Sequence, residues 1–324
     1  MPPVDIDAGE LGGSVLLRRW RKTLFIWRNA SSYTQAIKEI SRRVWIRTSK
    51  AAEQRESRKN FWQDSATFAY FVAETDAIRK PGAAYMDGVI NEFFIAHCSK
   101  GDRVLDVGCG HGVVSMALAK HGCAVTACDV SEQMLESLAA NGKSLGIETK
   151  QADAYTLPFK QDQFDRVVAR MFLYHFADWP KVLAEMARCC RPGGRLLVHI
   201  TSKENVDLAR REGRSIFSMA DVPERRRFGR RSLVYGEFDA KSIDAVARRC
   251  GLRVITRSPC MFFHSNPLIN FSIGAERSDS YRNQLQNWLS KPDVLAFAKW
   301  FEQTAVQQMP VWISYYNLLV LEKL

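Results

Sequence analysis

The sequence predicts an α/β fold, a doubly wound and mostly parallel sheet of seven strands, with N-terminal helices before it and helical insertions within it. Three observations predict it. From Arg103 onward, short β-branched runs alternate with helical periods, which is the pattern of βαβ units. The first run, VLDV at 104–107, breaks into GCGHG, with Gly108, Gly110 and Gly112 at alternate positions. The second run ends on an acid, Asp129, at the carboxyl end of a strand, where open α/β sheets meet their ligands.

The elements follow in order. RVLDVGC (103–109) reads as the first strand and VVSMALAKH (113–121) as the helix it feeds. AVTACDV (124–130) is the second strand, followed by a helix over SEQMLESLAANGKSL (131–145) with Ser131 as its cap. ETKQADA (148–154) and FDRVVARM (164–171) are the third and fourth strands. DWPKVLAEMARCC (178–190) is a helix: Asp178 caps it, Pro180 sits in its first turn, and Val182, Met186 and Cys190 share a face. The Pro-Gly-Gly at 192–194 ends it, and RLLVHIT (195–201) is the fifth strand. Residues 203–236, with the basic run PERRRFGRR (223–231), read as an inserted lid. DAKSIDAVARRCG (239–251) is a capped helix closing at Gly251, and LRVITRS (252–258) a strand. The trios Leu285, Trp288, Leu289 and Phe297, Trp300, Phe301 stand at i, i+3, i+4 and predict two added helices, before a long last strand over VWISYYNLLVLEK (311–323). The organisation is thus a basic helical arm (1–60), cap helices (61–100), a core (101–202), the lid (203–236), and a C-terminal part of the core (237–324) with a helical insert at 262–309.

Composition narrows the function. At 324 residues, 46 % hydrophobic and 25 % charged, the chain is long enough for one large domain with additions. No apolar run reaches the roughly 18 residues of a membrane span. The first ten residues carry three acids and no base, unlike a secretory leader, so a cytoplasmic location is the expectation. Eight cysteines stand without a CxxC pair, which predicts neither a metal site nor a disulfide framework. The net charge of +11 is carried by the flanks: residues 1–62 hold 13 Lys and Arg against 6 Asp and Glu, and residues 203–260 hold 14 against 8. In the arm, Leu17, Trp20, Leu24 and Trp27 form one face among arginines and lysines. That face suits an anionic membrane surface, and equally packing on the enzyme or on the second subunit of a homodimer.

The glycines decide the ligand class. A dinucleotide turn reads GxGxxG, whereas here Val113 and Val114 follow the third glycine, which disfavours a Rossmann oxidoreductase. The form DxGxGxG, led by Asp106, suits a cationic amino acid better than a pyrophosphate. Four features in order carry a resemblance over roughly residues 100–202: VLDVGCGHG, the Asp129 of VTACDVSEQML, the QADAYTLPF segment, and FDRVVARMFLYHFAD leading to RPGGRLLV. In these the chain resembles the class I S-adenosylmethionine-dependent methyltransferases, in the small-molecule branch that includes quinone-biosynthesis enzymes. The resemblance implies S-adenosylmethionine as cofactor. It implies that Gly108, Gly110 and Gly112 admit the methionine part and that Asp106 anchors its ammonium. Asp129 would accept the ribose hydroxyls, Met134 pack on the adenine, and Asp153, beside Ala154, accept from the adenine amine. Arg170 stands where relatives contact the methionine moiety, usually through backbone.

Methyl transfer from a sulfonium needs alignment, exclusion of water and, for a hydroxyl acceptor, a base. It requires no metal. Enzymes of the family acting on base or amide nitrogens often carry [ND]PP[YF] after the fourth strand, where this chain has ARMFLYHF. Nucleic acid and glutamine side chains are therefore disfavoured. The expectation is O-methylation of a small biosynthetic intermediate such as a natural product, glycan or lipid-linked hydroxyl. RNA or protein methylation and C-methylation of a quinone-like ring stand as alternatives. Of six histidines, His175 has the address of a general base, in the loop after the fourth strand, and His199, near the end of the fifth, is the second candidate.

Overall fold

The computed structural model describes residues 56, 59–65, 72, 81–176, 178–211, 238–265 and 278–324, and the chain falls into two compact units, 1–61 and 62–324. Of the first unit only 56 and 59–61 are described, all helical. The arm at 14–28 and its apolar face lie outside the described residues, as does the lid beyond Arg211 up to residue 237.

The second unit is built on seven strands: β1 (Arg103–Val107), β2 (Ala124–Asp129), β3 (Glu148–Gln151), β4 (Phe164–Ala169), β5 (Cys190–Thr201), β6 (Leu252–Cys260) and β7 (Tyr316–Lys323). Their order is β3-β2-β1-β4-β5-β7-β6. Pairing is parallel from β3 to β5, and β7 lies antiparallel between β5 and β6. The central strands are apolar along their length, because helices cover both faces. Val167, Val168, Leu196, Leu197 and Val198 are all fully buried.

The helices are α1 (Pro81–Ala96), α2 (Val113–His121), α3 (Glu132–Asn141), α4 (Trp179–Cys189), α5 (Lys203–Arg211), α6 (Ala240–Arg249), α7 (Ser278–Leu289) and α8 (Pro292–Thr304). Helix α4 buries Trp179, Val182, Leu183, Met186 and Ala187, the inward stripe its spacing predicts. The expected strand and helix order is thus present, and the differences lie at boundaries. Strand β5 does not begin after Pro-Gly-Gly, at Arg195, but before it, with Cys190 opposite Phe164 and Arg195 opposite Arg166. Gly193 takes φ 71 within this irregularity, and a Cβ on Gly194 would stand 2.8 Å from the Asp165 carbonyl. The last strand begins at Tyr316 rather than 311, because a 3-10 turn over Val311–Ile313 follows Pro310.

Two expected caps are not made by side chains. Ser131 precedes α3, but its Oγ makes no cap bond; its N–H donates to Asp129 instead. Asp178 precedes α4, but its carboxylate takes the Tyr155 hydroxyl and Lys181. Asp239 does cap α6, accepting from the Ser242 N–H at 2.8 Å in a full capping box. In α7 and α8, Leu285 and Leu289 are buried as their spacing predicts, whereas Trp288, Phe297 and Trp300 are each more than half exposed. No helix among the described residues is long and apolar enough to cross a membrane.

Candidate active site

At the carboxyl edge of the sheet the chain turns from β1 into α2, and the three glycines there meet different surroundings. All three have positive φ, at 70, 54 and 90°. A Cβ on Gly108 would lie 2.0 Å from the Phe172 ring, and one on Gly112 would lie 2.1 Å from Leu138. These two glycines allow close packing. A Cβ on Gly110 would meet nothing within 4 Å, so this backbone faces open space.

Asp129, at the end of β2, holds the turn. Its Oδ2 accepts from the Gly110 N–H and its Oδ1 from the Ser131 N–H, each at 2.9 Å. Gly108 and Cys109 also donate to the Cys128 carbonyl, at 2.8 and 3.0 Å. Burial pushes the Asp129 carboxyl above its usual range, against the pull of those backbone donors. A carboxylate offers about four acceptor positions, and the backbone donors of this turn do not fill them all.

Asp106, on β1, is 1 % exposed. Its Oδ2 accepts from Ser115 of α2 at 2.6 Å, and its Oδ1 is buried with no hydrogen-bond partner. Burial pushes its carboxyl up to about 6; the Ser115 hydrogen bond and Arg170 oppose this, and Asp129 adds to it. A buried acceptor left unpaired costs on the order of 1–3 kcal/mol, a cost that a donor arriving with a ligand removes.

The other residues singled out in the sequence fall around this turn. Met134 is buried on α3. Asp153 accepts from the Tyr155 N–H at 2.9 Å, while its carbonyl accepts from Thr156, and Ala154 beside it is buried. The segment is pinned to α4 by Arg188, which donates to the carbonyls of Leu157 and Phe159 at 3.0 and 2.8 Å. Arg170 directs its side chain to an ion pair with Asp87 of α1. His175 ends a 3-10 turn, Leu173–His175, half-buried with its ring edge-on to Trp62 at 5.1 Å and 4.5 Å from the Tyr174 ring. His199 is fully buried, and neither ring nitrogen has a partner. Burial, and then the Arg170 charge, hold its imidazole down to about 3, neutral and weakly basic. The same two causes lower His111, opposed by Asp87.

Sequence reasoning missed Asp87, Ser115 and Phe172. One signal for Asp87 was available, an acid inside the largely apolar run PGAAYMDGVI; a serine on α2 and a phenylalanine after β4 carry none. Among the described residues no group of three or more His, Cys, Asp or Glu could hold a metal ion.

The protein family described as "Methyltransferase domain" matches residues 105–198. Methyltransferase GfsG of Streptomyces halstedii is 43 % identical over 105 residues, which are 31 % of this chain and 38 % of that protein. The demethylmenaquinone methyltransferase of Clavibacter sepedonicus is 39 % identical over 127 residues, 38 % of this chain and 50 % of that one. A phosphatidylethanolamine N-methyltransferase of Cereibacter sphaeroides is 41 % identical over 105 residues, 31 % of this chain and 51 % of that one. The chain therefore spans about half or less of the length of these relatives.

The residues present fit S-adenosylmethionine. The unpartnered Oδ1 of Asp106 would take its ammonium, the open backbone at Gly110 would border its methionine part, and the remaining acceptor positions of Asp129 would take its ribose hydroxyls. Sheet order, glycine turn and the matched methyltransferase domain all fall on one segment, residues 105–198, and it is in this segment that the chain is similar to S-adenosylmethionine-dependent methyltransferases.

Proposed function

We propose that this protein transfers a methyl group from S-adenosylmethionine to a small molecule, and that the product is an O-methylated biosynthetic intermediate. The observation that carries the transfer is the buried, unpartnered Asp106 Oδ1 on the strand that leads into the open Gly110 backbone. When bound, the cofactor supplies an electrophilic methyl group. The chain's own residues do the rest: Asp106 and Asp129 orient the cofactor, Asp153 and Met134 flank its base, and Phe172 holds the turn at Gly108. The relatives' names span a quinone precursor and a phospholipid amine, so the acceptor is inferred from the residues after β4. There the ARMFLYHF segment lacks the motif used on base and amide nitrogens, and His175 stands half-buried between Trp62 and Tyr174.

His175 is the proposed general base. A positioned base contributes about 10² to 10⁴ to turnover when the acceptor is a protonated hydroxyl. Transfer of a labelled methyl group to a panel of alcohols, phenols, amines, RNA and protein tests both parts. Label on a hydroxyl compound, lost by at least a hundredfold in His175→Ala and His175→Gln with cofactor affinity retained, is the expected result. Label on RNA, on protein or on ring carbon would overturn the O-methylation reading, and turnover within about threefold of the parent would remove His175 as the base.

A further inference from the structure

The methyltransfer reading leaves one buried group without a task. His199 lies near the end of β5, one residue beyond the Ala169–Val198 pair that closes the β4–β5 ladder. Its imidazole stacks on Tyr316 of β7, with ring centroids 4.8 Å apart and planes at 27°, and Tyr174 stands edge-on at 6.4 Å. All three rings are buried. Both nitrogens of His199 lack a partner, although buried polar groups in folded proteins are nearly always paired.

Register relates this group to the cofactor end of the sheet. Asp106 pairs with Val168, and Val168 pairs with Leu197. Side chains alternate along a strand, so Asp106, Arg170 and His199 share one face at the carboxyl edge. Unpaired acceptors thus lie at two places on that face, Asp106 Oδ1 and the His199 ring. Asp106 is assigned above to the cofactor.

We propose that the methyl-acceptor subsite ends on His199, and that the acceptor is a planar hydroxyl compound, a phenol or an enol, whose oxygen hydrogen-bonds that imidazole beside the Tyr174 and Tyr316 rings. The inference rests on the methyltransfer reading and narrows its acceptor. A neutral imidazole has one donor and one acceptor nitrogen, which match a hydroxyl that both accepts and donates. An acceptor seated among the Tyr174 and Tyr316 rings would meet aromatic surface, which suits a ring or a conjugated enol. Arg170, on the same face, is held in its ion pair with Asp87. His199 is then a positioning residue and His175 the base.

The test uses the full-length protein, saturated with S-adenosylhomocysteine, and three probes: phenol, 2-naphthol and ethanolamine. Calorimetry is expected to show binding of 2-naphthol to the parent and no binding of ethanolamine. His199→Phe, which keeps the stacking on Tyr316 but removes both nitrogens, is expected to weaken 2-naphthol by at least tenfold while S-adenosylhomocysteine affinity stays within twofold. His199→Gln, which keeps a donor and an acceptor, is expected to recover part of the loss. Because His199→Phe removes two unpaired polar atoms from the interior, its Tm is expected to equal or exceed that of the parent, the opposite of what a structural histidine gives. Unchanged 2-naphthol affinity in His199→Phe, a parent that binds ethanolamine but neither phenol nor 2-naphthol, or a lower Tm with lost S-adenosylhomocysteine binding in both variants would overturn the proposal. A parent that binds no S-adenosylhomocysteine would overturn the methyltransfer reading, and this subsite with it.

Discussion

The two halves of the sheet hold their buried polar groups in different ways. In the half made by β3, β2 and β1, carboxylates meet donors close by in the chain: Asp106 meets Ser115 nine residues on, and Asp129 meets Gly110 nineteen residues back. In the half made by β4, β5, β7 and β6, with α1 and α8 packed on it, the partners are remote. Arg170 reaches Asp87 across 83 residues, and Tyr85 reaches Glu302 across 217. Glu302, on α8, also accepts from the Met261 N–H at 3.1 Å and from the Phe262 N–H at 2.5 Å, so one carboxylate joins α1, the end of β6 and α8. The near half, the proposed ligand cradle, is made by one strand-turn-helix unit. The far half is a wall assembled from four separate parts of the chain.

The comparison breaks most readily at Glu302. Replacing it by Ala strands two backbone N–H groups and the Tyr85 hydroxyl in the interior, an expected loss of about 3–5 kcal/mol by denaturant unfolding. Glu302→Gln keeps an acceptor and should lose less. The two variants also separate by pH. Burial pushes the Glu302 carboxyl from 4.5 up to about 7, so the folded protein binds its proton more tightly than the unfolded chain. Its contribution therefore falls as pH rises from 4.5 to 7, a slope that Glu302→Gln removes. A Gln variant with the parent's pH profile would show that the carboxyl is not the titrating group.

The glycine turn gives the next largest effect. Gly108→Ala places a Cβ 2.0 Å from the Phe172 ring at φ 70, and about 2–4 kcal/mol of stability should be lost, part to the left-handed backbone and part to displaced packing. Gly110→Ala meets no clash and should lose only about 1–2 kcal/mol, yet weaken S-adenosylmethionine binding more than Gly108→Ala does. Melting curves and calorimetry on the pair decide whether packing and ligand approach are divided between these two positions as described.

Asp129→Ala removes the acceptor for two backbone donors and for the ribose, so cofactor affinity should fall at least about tenfold, the equivalent of 1.4 kcal/mol or more. Unchanged affinity by calorimetry would remove Asp129 from the site. The smallest effect is a pH slope. The Asp106 carboxyl is pushed from 3.8 up to about 6, so its ionised form, the one that pairs with an ammonium, is depleted as pH falls through 6. Cofactor affinity of the parent should decline below pH 6, while that of Asp106→Asn should be low and flat. The same raised carboxyl weakens folding as pH rises from 3.8 to 6, so Asp106→Asn should be at least as stable as the parent at pH 7.

These contrasts also explain what the sequence made legible. The order of strands, the glycine turn, Asp106 and Asp129 could be read because local spacing produces them: a strand, a turn and a helix in succession leave their pattern in adjacent residues. The open backbone at Gly110 and the packing glycines at 108 and 112 could not be told apart, since Phe172 and Leu138 arrive from elsewhere in the chain. Asp178 and Ser131 had the chemistry of helix caps, but Tyr155 competes for the first and Asp129 takes the backbone of the second. Nothing near Glu302 in the sequence announces Tyr85. Its burial follows from the docking of α8 against α1, a tertiary event without a local signature.

The placement of β7 has a consequence for how the chain acquires this structure. β5 pairs with β7 along seven residues, and β6 pairs with β7 along eight, with no direct β5–β6 ladder. During synthesis, β5 and β6 therefore emerge with one edge each lacking its neighbour until Tyr316–Lys323 follows, and loop closure across such separations is slow. Tyr316, the ring that stacks on His199, belongs to that late strand. The ring proposed to flank the methyl acceptor thus joins the sheet only after β1, its glycine turn and β2 have all been synthesised, so the two proposed halves of the site depend on parts of the chain made at different times.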